Sequence, residues 1–226
     1  DLAKLDLASL KAAVEGQLKT GAVEIALVGD VDEAKAIELV SQTFGAIPKR
    51  PLTSKVAAAQ AKASVTTDRS VRTLYHSGKE DLGLVSLNWP TTDDKDTRSD
   101  ITRLLLAEIM GLELTEVLRE QLGATYSPSA ASYSSPAFAG YGYVSAIATT
   151  PKDKMEIVTN AMKGIAKKMR EAPPTDDQLL RARKPMAERY AKQVRENGAW
   201  ISVVGTAQSQ PRWMERRRQR EAILAS

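Results

Sequence analysis

The sequence predicts an α+β fold, in which amphipathic helices accompany a β-sheet. In several stretches apolar residues recur every three or four positions, which is typical of helices that bury one side. Strand-like segments also occur in two successive pairs, at 71–76 with 82–89 and at 125–134 with 138–149, and a short turn-forming segment joins the members of each pair. Helices that alternate with strand pairs place the chain in the α+β class.

Length and composition are those of an ordinary globular protein. A chain of 226 residues with 42% hydrophobic residues can bury a core as one large domain or two small ones. We treat 1–226 as a single domain, with a basic C-terminal helix or tail at 208–226. The chain starts at Asp1 in helix-like sequence, without Met or a signal peptide, so we expect a fragment of a longer protein or a processed chain. No apolar run reaches the roughly eighteen residues that suggest a membrane span.

The first third of the chain predicts a helix at 7–18, a buried strand at 23–28 and a second helix capped by Asp32. The predicted inner stripe of the second helix is Ala36, Ile37, Val40 and Phe44. A strand followed by Gly29, an acid and a helix can bind a nucleotide, but the glycine-rich phosphate cradle and its lysine are missing. The stretch 53–63 predicts a surface connector.

The remainder predicts further helices besides the strand pairs. The first carries a mostly apolar face that should lie on the sheet, formed by Ile101, Leu104, Leu105, Glu108 and Ile109. The second begins at Thr150-Pro151 and buries Met155, Val158, Met162, Ile165 and Met169. A capping box at 175–178 opens a long helix to about residue 196, with a kink expected at Pro185. A helical pair at 200–207 and 213–224 ends the chain.

Several classes of catalytic site are excluded by residue counts. The chain has no cysteine, which rules out disulfides, thiolate catalysis and cysteine-ligated metals. His76 is its only histidine, so the two-histidine zinc motifs, including His-x-x-Glu-His, cannot form. The acid pairs at 93–94 and 176–177 occupy positions typical of loop and helix caps. By its own chemistry the chain has no means of hydrolysis, and we expect no metal and no cofactor in it.

The net charge of +4 is concentrated at the C-terminal end. Residues 212–226 contain five arginines and two glutamates, a net charge of +3, which leaves the body nearly neutral. Aromatic residues that could stack bases are few near these arginines. We therefore interpret the tail as a solvated helix face or a disordered end, and expect no nucleic acid as a partner.

The most informative stretch runs from Leu114 to Ser129. It predicts the end of an amphipathic helix, stopped by Gly123, and then the start of a strand. Arg119 near the helix end and Tyr126 at the strand start can project into the same space across one tight turn. A guanidinium and a phenol that donate side by side suit the binding of carbonyl oxygens. The alternative is that Arg119 forms a surface salt bridge and Tyr126 packs in the sheet.

An ordered set of short motifs resembles the zinc-free second-domain type of the pitrilysin/insulinase zinc metallopeptidases, a family related to the mitochondrial processing peptidases. The motifs span nearly the whole chain. They are Val28-Gly-Asp-Val-Asp32, Phe44-Gly-Ala-Ile-Pro48, Leu87-Asn-Trp-Pro90, Ile109-Met-Gly-Leu112, Leu118-Arg-Glu-Gln-Leu-Gly-Ala-Thr-Tyr126 and Thr175-Asp-Asp-Gln-Leu179 with its following Ala-Arg-Lys. The family's zinc motif belongs to another domain and is missing here.

The resemblance implies a mixed, largely antiparallel sheet with helices mainly on one face. It also implies a partner, a zinc-bearing peptidase domain or subunit, with which this domain forms a chamber for a peptide or an unfolded protein. Arg119 and Tyr126 match the family's substrate-binding pair and would hold the scissile carbonyl and stabilise the oxyanion at the partner's zinc. A free sheet edge could add the peptide as a strand. The family's habits favour the periplasm or cell envelope.

Two rival functions remain open from the sequence. The family also includes assembly proteins that resemble core subunits of respiratory complexes and have little or no peptidase role, although the retained Arg119 and Tyr126 argue against that reading. A basic binder of RNA or of membrane surfaces would depend on the arginine-rich tail alone, and deletion of residues 212–226 would abolish such binding.

Overall fold

The chain forms two compact units in the computed structural model, which describes residues 5–50, 63, 65–78 and 81–226. The first unit comprises residues 1–61 with 192–218, and the sheet unit comprises residues 62–191 with 219–226. Except for Ala63, the connector predicted at 53–63 lies outside the described residues. In chain order the elements are α1 (Leu7–Thr20), α2 (Glu33–Gln42), a 3-10 turn (Phe44–Ala46), β1 (Leu82–Thr91), α3 (Thr97–Leu114), a π-helix (Thr115–Gln121), β2 (Ser129–Ser134), β3 (Gly142–Pro151), a 3-10 turn (Lys152–Lys154), α4 (Met155–Glu171), α5 (Asp176–Gln193), α6 (Asn197–Val204) and α7 (Arg212–Ala225).

The sheet unit is built on three antiparallel strands in the order β1-β3-β2. One face of the sheet packs against the end of α3, the π-helix and α4. The buried side chains of this core are Val85, Met110, Leu114, Leu118, Ala124, Val144, Ala146, Ala148, Val158, Met162 and Ile165. The α+β class is therefore confirmed, with an antiparallel sheet and helices on one face. The predicted stripe of α4 is confirmed at its centre, since Val158, Met162 and Ile165 are all buried.

Helix α3 buries residues on two sides, which the sequence prediction missed. Ile101 packs with Met186, Tyr190 and Leu224 in a second cluster, to which Leu104 and Leu105 also belong. The prediction that this stripe lies on the sheet is therefore wrong, because the sheet core takes Met110 and Leu114 instead. Glu108 lies on the surface, where its carboxylate is 2.7 Å from the guanidinium of Arg189. A helix between two layers presents two apolar stripes, and periodicity alone does not assign them.

Two predicted strands, at 23–28 and 71–76, are wrong. Both segments lack regular secondary structure, and no strand pairs with them in the part of the chain that the structure describes. Their apolar side chains are exposed or half-buried, and Val71, Leu74 and Tyr75 are almost fully exposed. A strand is defined by its hydrogen-bonded neighbour, so residue pattern alone cannot establish one.

Several other elements differ from their predicted bounds or burial. The strands predicted at 125–134 and 138–149 form at Ser129–Ser134 and Gly142–Pro151, and Pro151 ends β3 rather than opening a helix. The predicted inner stripe of α2 is wrong at Ile37 and Phe44, which are exposed. The Asp32 cap is confirmed, because its carboxylate accepts the Lys35 N–H at 2.9 Å.

The long C-terminal helices form near their predicted positions. The capping box is confirmed at Thr175 and Gln178, whose side chains each accept the other residue's N–H. Pro185 lies inside α5, which continues through it to Gln193.

The arginines of α7 are held against aromatic rings, so the expectation of few nearby aromatic residues is wrong. In the first unit, the guanidinium of Arg217 lies 4.0 Å from the ring centroid of Trp200. In the sheet unit, that of Arg220 lies 4.2 Å from the ring of Tyr190. These contacts shield side chains that were expected to be solvated.

Candidate functional site

Arg119 lies on a π-helical segment that continues α3 without a break. In this segment the Leu122 N–H donates to the Val117 carbonyl at 3.0 Å, five residues earlier, which widens the helix. Leu118 points into the sheet core and is fully buried. Arg119 follows it directly, and its side chain is 49% exposed. The helix end predicted in the stretch from Leu114 is therefore the widened end of α3. Short π-helical segments of this kind often occur at functional sites.

Tyr126 lies on a short loop that two hydrogen bonds attach to the end of β3 and a third attaches to the 3-10 turn that follows it. The Thr125 hydroxyl donates to the Thr149 carbonyl at 2.6 Å, and the buried Thr150 hydroxyl donates to the Ala124 carbonyl at 2.7 Å. Lys154 Nζ donates to the Gly123 carbonyl at 3.1 Å. We call this set of contacts the loop clamp. It explains why β2 begins at Ser129, since the preceding residues are bonded to the end of β3 and not along its length.

Gly123 makes the reversal between the π-helix and the loop possible. Its φ of +52° lies in the left-handed region, which residues with a side chain rarely adopt. The next N–H, of Ala124, donates to the Leu118 carbonyl at 2.9 Å and closes the helix end. The prediction that Gly123 stops the helix is confirmed.

Arg119 and Tyr126 are both accessible but are not bonded to each other. The Nε and Nη2 atoms of Arg119 lie 2.8 Å from Glu120 Oε1. Tyr126 is 86% exposed, and its hydroxyl has no hydrogen-bond partner among the described residues. The structure thus places the tyrosine outside the sheet and gives the arginine a surface ion pair. The alternative reading is therefore confirmed for Arg119, which forms a surface ion pair, and wrong for Tyr126, which does not pack in the sheet.

Loss of the Thr150 hydroxyl should loosen the loop clamp. In Thr150→Val the shape of the side chain is kept, but the Ala124 carbonyl loses its donor in a buried setting. We expect the free energy of unfolding to fall by about 1–3 kcal/mol in urea titrations. Thr102→Val is the control, because its hydroxyl bonds only the preceding turn of α3 on the surface. Equal losses in the two variants would contradict a role for the clamp.

The second face of the sheet carries no helix from the described part of the sheet unit. Tyr143, Ser145 and Ile147 alternate on this face of β3, and Asn88 pairs opposite Ser145. Tyr133 pairs opposite Tyr143, with ring centroids 5.3 Å apart, and Tyr141 lies edge-on to both. The outer edges of β1 and β2 have no strand beside them among the described residues. Polar and aromatic side chains beside an unpaired strand edge are features of surfaces that bind extended peptides.

Asp93 is a buried acid whose role was missed by the sequence prediction. Its carboxylate accepts the Lys95 N–H at 3.1 Å, as a cap-like turn predicts, and also the Gly140 N–H at 2.7 Å. The second bond ties the segment after β1 to the β2–β3 connection, 47 positions away. The Gly140 N–H, and to a smaller extent that of Lys95, holds the pKa of Asp93 below its ordinary value.

This depressed pKa predicts a pH dependence of stability. A carboxylate with a lower pKa in the folded chain contributes stability above its unfolded pKa of about 3.9, and loses that contribution as the pH falls through the folded pKa. Asp93→Asn should therefore be less stable than the wild type at pH 7, and the difference should shrink toward pH 3. Urea unfolding at several pH values measures both. A difference that does not change with pH would contradict this assignment.

No metal site is apparent in the described residues. They contain no group of three or more His, Asp or Glu side chains placed to hold an ion. The Nδ1 atom of His76 accepts the Gly78 N–H at 2.9 Å in an exposed turn. The donor set therefore does not fit zinc. Among the described helices, none has the length and apolar character that a membrane crossing requires.

Sequence comparison assigns the family. The sequence model of the family described as "Peptidase M16 inactive domain" matches residues 4–186, which is most of the chain. The chain belongs to this family, a non-catalytic domain type of the M16 metallopeptidases, and the resemblance to the pitrilysin/insulinase type is thereby confirmed. Comparison with curated proteins gives no match.

Solved structures share the fold at low sequence identity. A peptidase M16 inactive domain from Pseudomonas fluorescens is 18% identical with a TM-score of 0.69, and covers 98% of this chain and 54% of its own. A conserved protein from Enterococcus faecalis is 16% identical with a TM-score of 0.63, and the match covers 99% of this chain and 54% of that protein. The periplasmic protease PqqL from Escherichia coli is 16% identical with a TM-score of 0.62, and the match covers 87% of this chain and 21% of that protein. The chain thus spans about half, or less, of the length of these proteins.

Proposed function

We propose that this chain completes the peptide-binding chamber of a zinc metalloendopeptidase whose zinc is held by another domain or subunit. Arg119 and Tyr126 bind the substrate and stabilise the oxyanion there. The observation that supports the proposal best is the Tyr126 hydroxyl, a free donor on a loop that the clamp attaches to the sheet. A donor held in place before the substrate arrives stabilises developing negative charge more than a mobile one does.

Arg119 suits the same task although it contacts Glu120. A guanidinium has five N–H donors, and the Glu120 contact engages the edge formed by Nε and Nη2. The remaining donors are available to a peptide carbonyl. Because the ion pair is exposed on both sides, it is worth little and can be exchanged for a substrate contact.

The peptide itself would lie along the sheet unit. A free outer edge of β1 or β2 offers backbone N–H and C=O groups to an extended chain. The uncovered face beside it offers the rings of Tyr133 and Tyr143. We expect the substrate to be a peptide or an unfolded protein, since only an extended backbone can pair with a strand edge.

The family supports the proposed partner and compartment. An inactive M16 domain needs a zinc-bearing peptidase domain or subunit to act on peptides, and the described residues of this chain offer no group of ligands that replaces it. The solved periplasmic protease with the same fold supports a periplasmic or cell-envelope location. Neither nucleic acid nor a membrane is part of the proposal.

Removal of the Tyr126 hydroxyl tests the proposal. In the native assembly with its zinc-bearing partner, Tyr126→Phe should lower kcat for a quenched fluorescent peptide by about a hundredfold, with KM little changed. Tyr75→Phe is the matched control, because Tyr75 is 93% exposed and lies outside the loop. An unchanged kcat in the intact assembly, or an assembly that cuts no peptide, would favour the structural alternative, in which this chain serves assembly only.

A further inference from the structure

Four aromatic side chains gather where β2 and β3 are joined. The ring centroids of Tyr133 and Tyr143 lie 5.3 Å apart, and Tyr141 is edge-on to both, at 6.4 Å and 6.5 Å. Phe138 is in turn edge-on to Tyr141, at 6.2 Å. We call these four residues the aromatic cluster. The whole chain has two phenylalanines and six tyrosines, so half of them are concentrated at this one place.

The aromatic cluster belongs to neither core of the sheet unit. None of its four side chains is fully buried, and neither set of core side chains includes them. Tyr133 is 41% exposed, and the other three are half-buried. Accessible, packed rings are a common feature of binding surfaces, because they offer contact area at a small cost in side-chain entropy. The cluster therefore has the character of a binding site.

Buried polar groups hold the backbone that carries the aromatic cluster. The Ser135 N–H donates to the Tyr141 carbonyl at 2.9 Å, and the Ser135 hydroxyl accepts the Phe138 N–H at 2.8 Å. Ser135 is 1% exposed. The buried Asp93 carboxylate accepts the Gly140 N–H at 2.7 Å. Water competes poorly for hydrogen bonds among buried groups, so the rings are arranged before a ligand binds.

The aromatic cluster and the Tyr126 loop lie toward opposite ends of β3. Tyr143 is near the start of this strand, whereas Thr149, whose carbonyl accepts the Thr125 hydroxyl, is near its end. Thr149 follows Tyr143 by six positions. Because an extended strand rises about 3.3 Å per residue, the two places are about 20 Å apart, a distance that an extended peptide covers with about six residues. One substrate chain can therefore contact both.

The charge beside the aromatic cluster favours a neutral ligand over a cationic one. Aromatic rings can bind both apolar side chains and cations. The Lys95 ammonium lies 3.5 Å from the same Asp93 oxygen that accepts the Gly140 N–H, so this carboxylate is already paired. A lysine or arginine side chain of a ligand would meet the positive charge of Lys95. A neutral aromatic or aliphatic side chain meets no such repulsion.

We propose that the aromatic cluster binds an aromatic or large aliphatic side chain of the substrate peptide, about six residues from the bond that is cleaved. This inference rests on the proposed function, since its ligand is the same peptide whose carbonyl Arg119 and Tyr126 bind. Side chains of this type are buried in folded proteins and accessible in unfolded ones. The cluster thereby favours unfolded polypeptides over short polar peptides as substrates.

The affinities of uncleavable peptides test this subsite. A phenylalanine is moved along an otherwise small and polar peptide, from about three to about nine residues on either side of the uncleavable bond. Fluorescence anisotropy gives the Kd of each peptide for the native zinc-bearing assembly. Phenylalanine about six residues from that bond, on one side of it, should tighten binding about tenfold relative to alanine. If no position has such an effect, the inference is overturned.

Substitutions at Tyr133 connect the effect to the aromatic cluster. Tyr133→Ala should abolish the preference for phenylalanine, whereas Tyr133→Phe, which keeps the ring, should retain it. Because Tyr133 is 41% exposed, neither change should lower the Tm by much. Tyr75→Ala is the control and should keep the preference, since Tyr75 is 93% exposed and lies outside the cluster.

Two results with Tyr133→Ala would overturn the inference. One is a preference for phenylalanine that persists in this variant. The other is dissociation of its assembly in gel filtration, because the cluster would then be an interface between subunits and not a subsite.

The proposed function is tested separately from this subsite. Affinity is defined even if the assembly cleaves no peptide or if Tyr126→Phe leaves kcat unchanged, and either of those results would remove the oxyanion role. A phenylalanine preference that depends on the Tyr133 ring would still establish the aromatic cluster as a peptide-binding subsite.

Discussion

Arg119→Ala is expected to lower kcat for peptide hydrolysis by the native assembly about a hundredfold. In the proposed function, this substitution removes a donor aimed at charge that develops in the transition state, and such a loss costs about 10²–10³ in rate at comparable sites. If the guanidinium also holds the ground-state carbonyl, KM rises as well. Steady-state kinetics with a quenched fluorescent peptide separates the two effects.

Arg181→Ala is the matched control for this prediction. The Arg181 side chain is 53% exposed and pairs with Asp177 on α5, much as Arg119 is 49% exposed and pairs with Glu120. Loss of a surface ion pair alone should therefore affect both variants equally and slightly. A large fall in kcat for Arg119→Ala only would support the substrate role, and similar small effects would contradict it.

Leu118→Ala should cause the largest loss of stability. Leu118 is fully buried in the sheet core, next to Arg119 on the π-helix and hydrogen-bonded through its carbonyl to Ala124. Truncation leaves a cavity at the point where the helix end, the loop and β3 meet, and should cost about 2–5 kcal/mol of unfolding free energy. Urea titration of the isolated chain measures this loss.

The corresponding control is Leu180→Ala on the exposed side of α5, for which we expect a change within about 0.5 kcal/mol. Because Leu118 supports the residues on both sides of Gly123, Leu118→Ala should also speed amide exchange at 123–126. A small loss of stability, or exchange at 123–126 equal to that of the wild type, would show that the π-helix does not hold the loop.

The stretch from Leu118 to Tyr126 shows how much of the site could be predicted. Its local signals are strong: an amphipathic helix end, a glycine that the structure finds at positive φ, and two donors seven positions apart. The loop clamp could not be predicted, because Thr149 and Thr150 lie 24 to 26 positions from the residues they bond. Short-range patterns carry no information about contacts of that separation.

The incorrectly predicted strands have a related cause. Residues 23–28 and 71–76 have strand-like composition, but pairing depends on a neighbour that no local pattern specifies. Likewise, α1 has the predicted helical spacing and is capped by Asp6, whose carboxylate accepts the Ser9 N–H at 2.7 Å. Its apolar stripe is nevertheless exposed. Periodicity predicts which side of a helix can pack, and not which residues cover it.

The role of the buried acid Asp93 could not be predicted from the sequence either. Asp93 has the sequence features of an ordinary turn residue, and its bond to Lys95 fits that interpretation. Its second bond, to Gly140, depends on the β2–β3 connection folding back over the segment after β1. Only the assembled sheet unit brings these residues together.

The most direct test of the central claim compares ground-state and transition-state binding. The affinities of an uncleavable substrate peptide and of its tetrahedral phosphinate analogue would be measured for the native zinc-bearing assembly and for the same assembly carrying Arg119→Ala and Tyr126→Phe together. We predict that the double substitution weakens the analogue by about a hundredfold more than the peptide, because the proposed function assigns both donors to the oxyanion. If the peptide and the analogue each bound the wild-type and the doubly substituted assembly with equal affinity, the proposed role of the two donors would be contradicted.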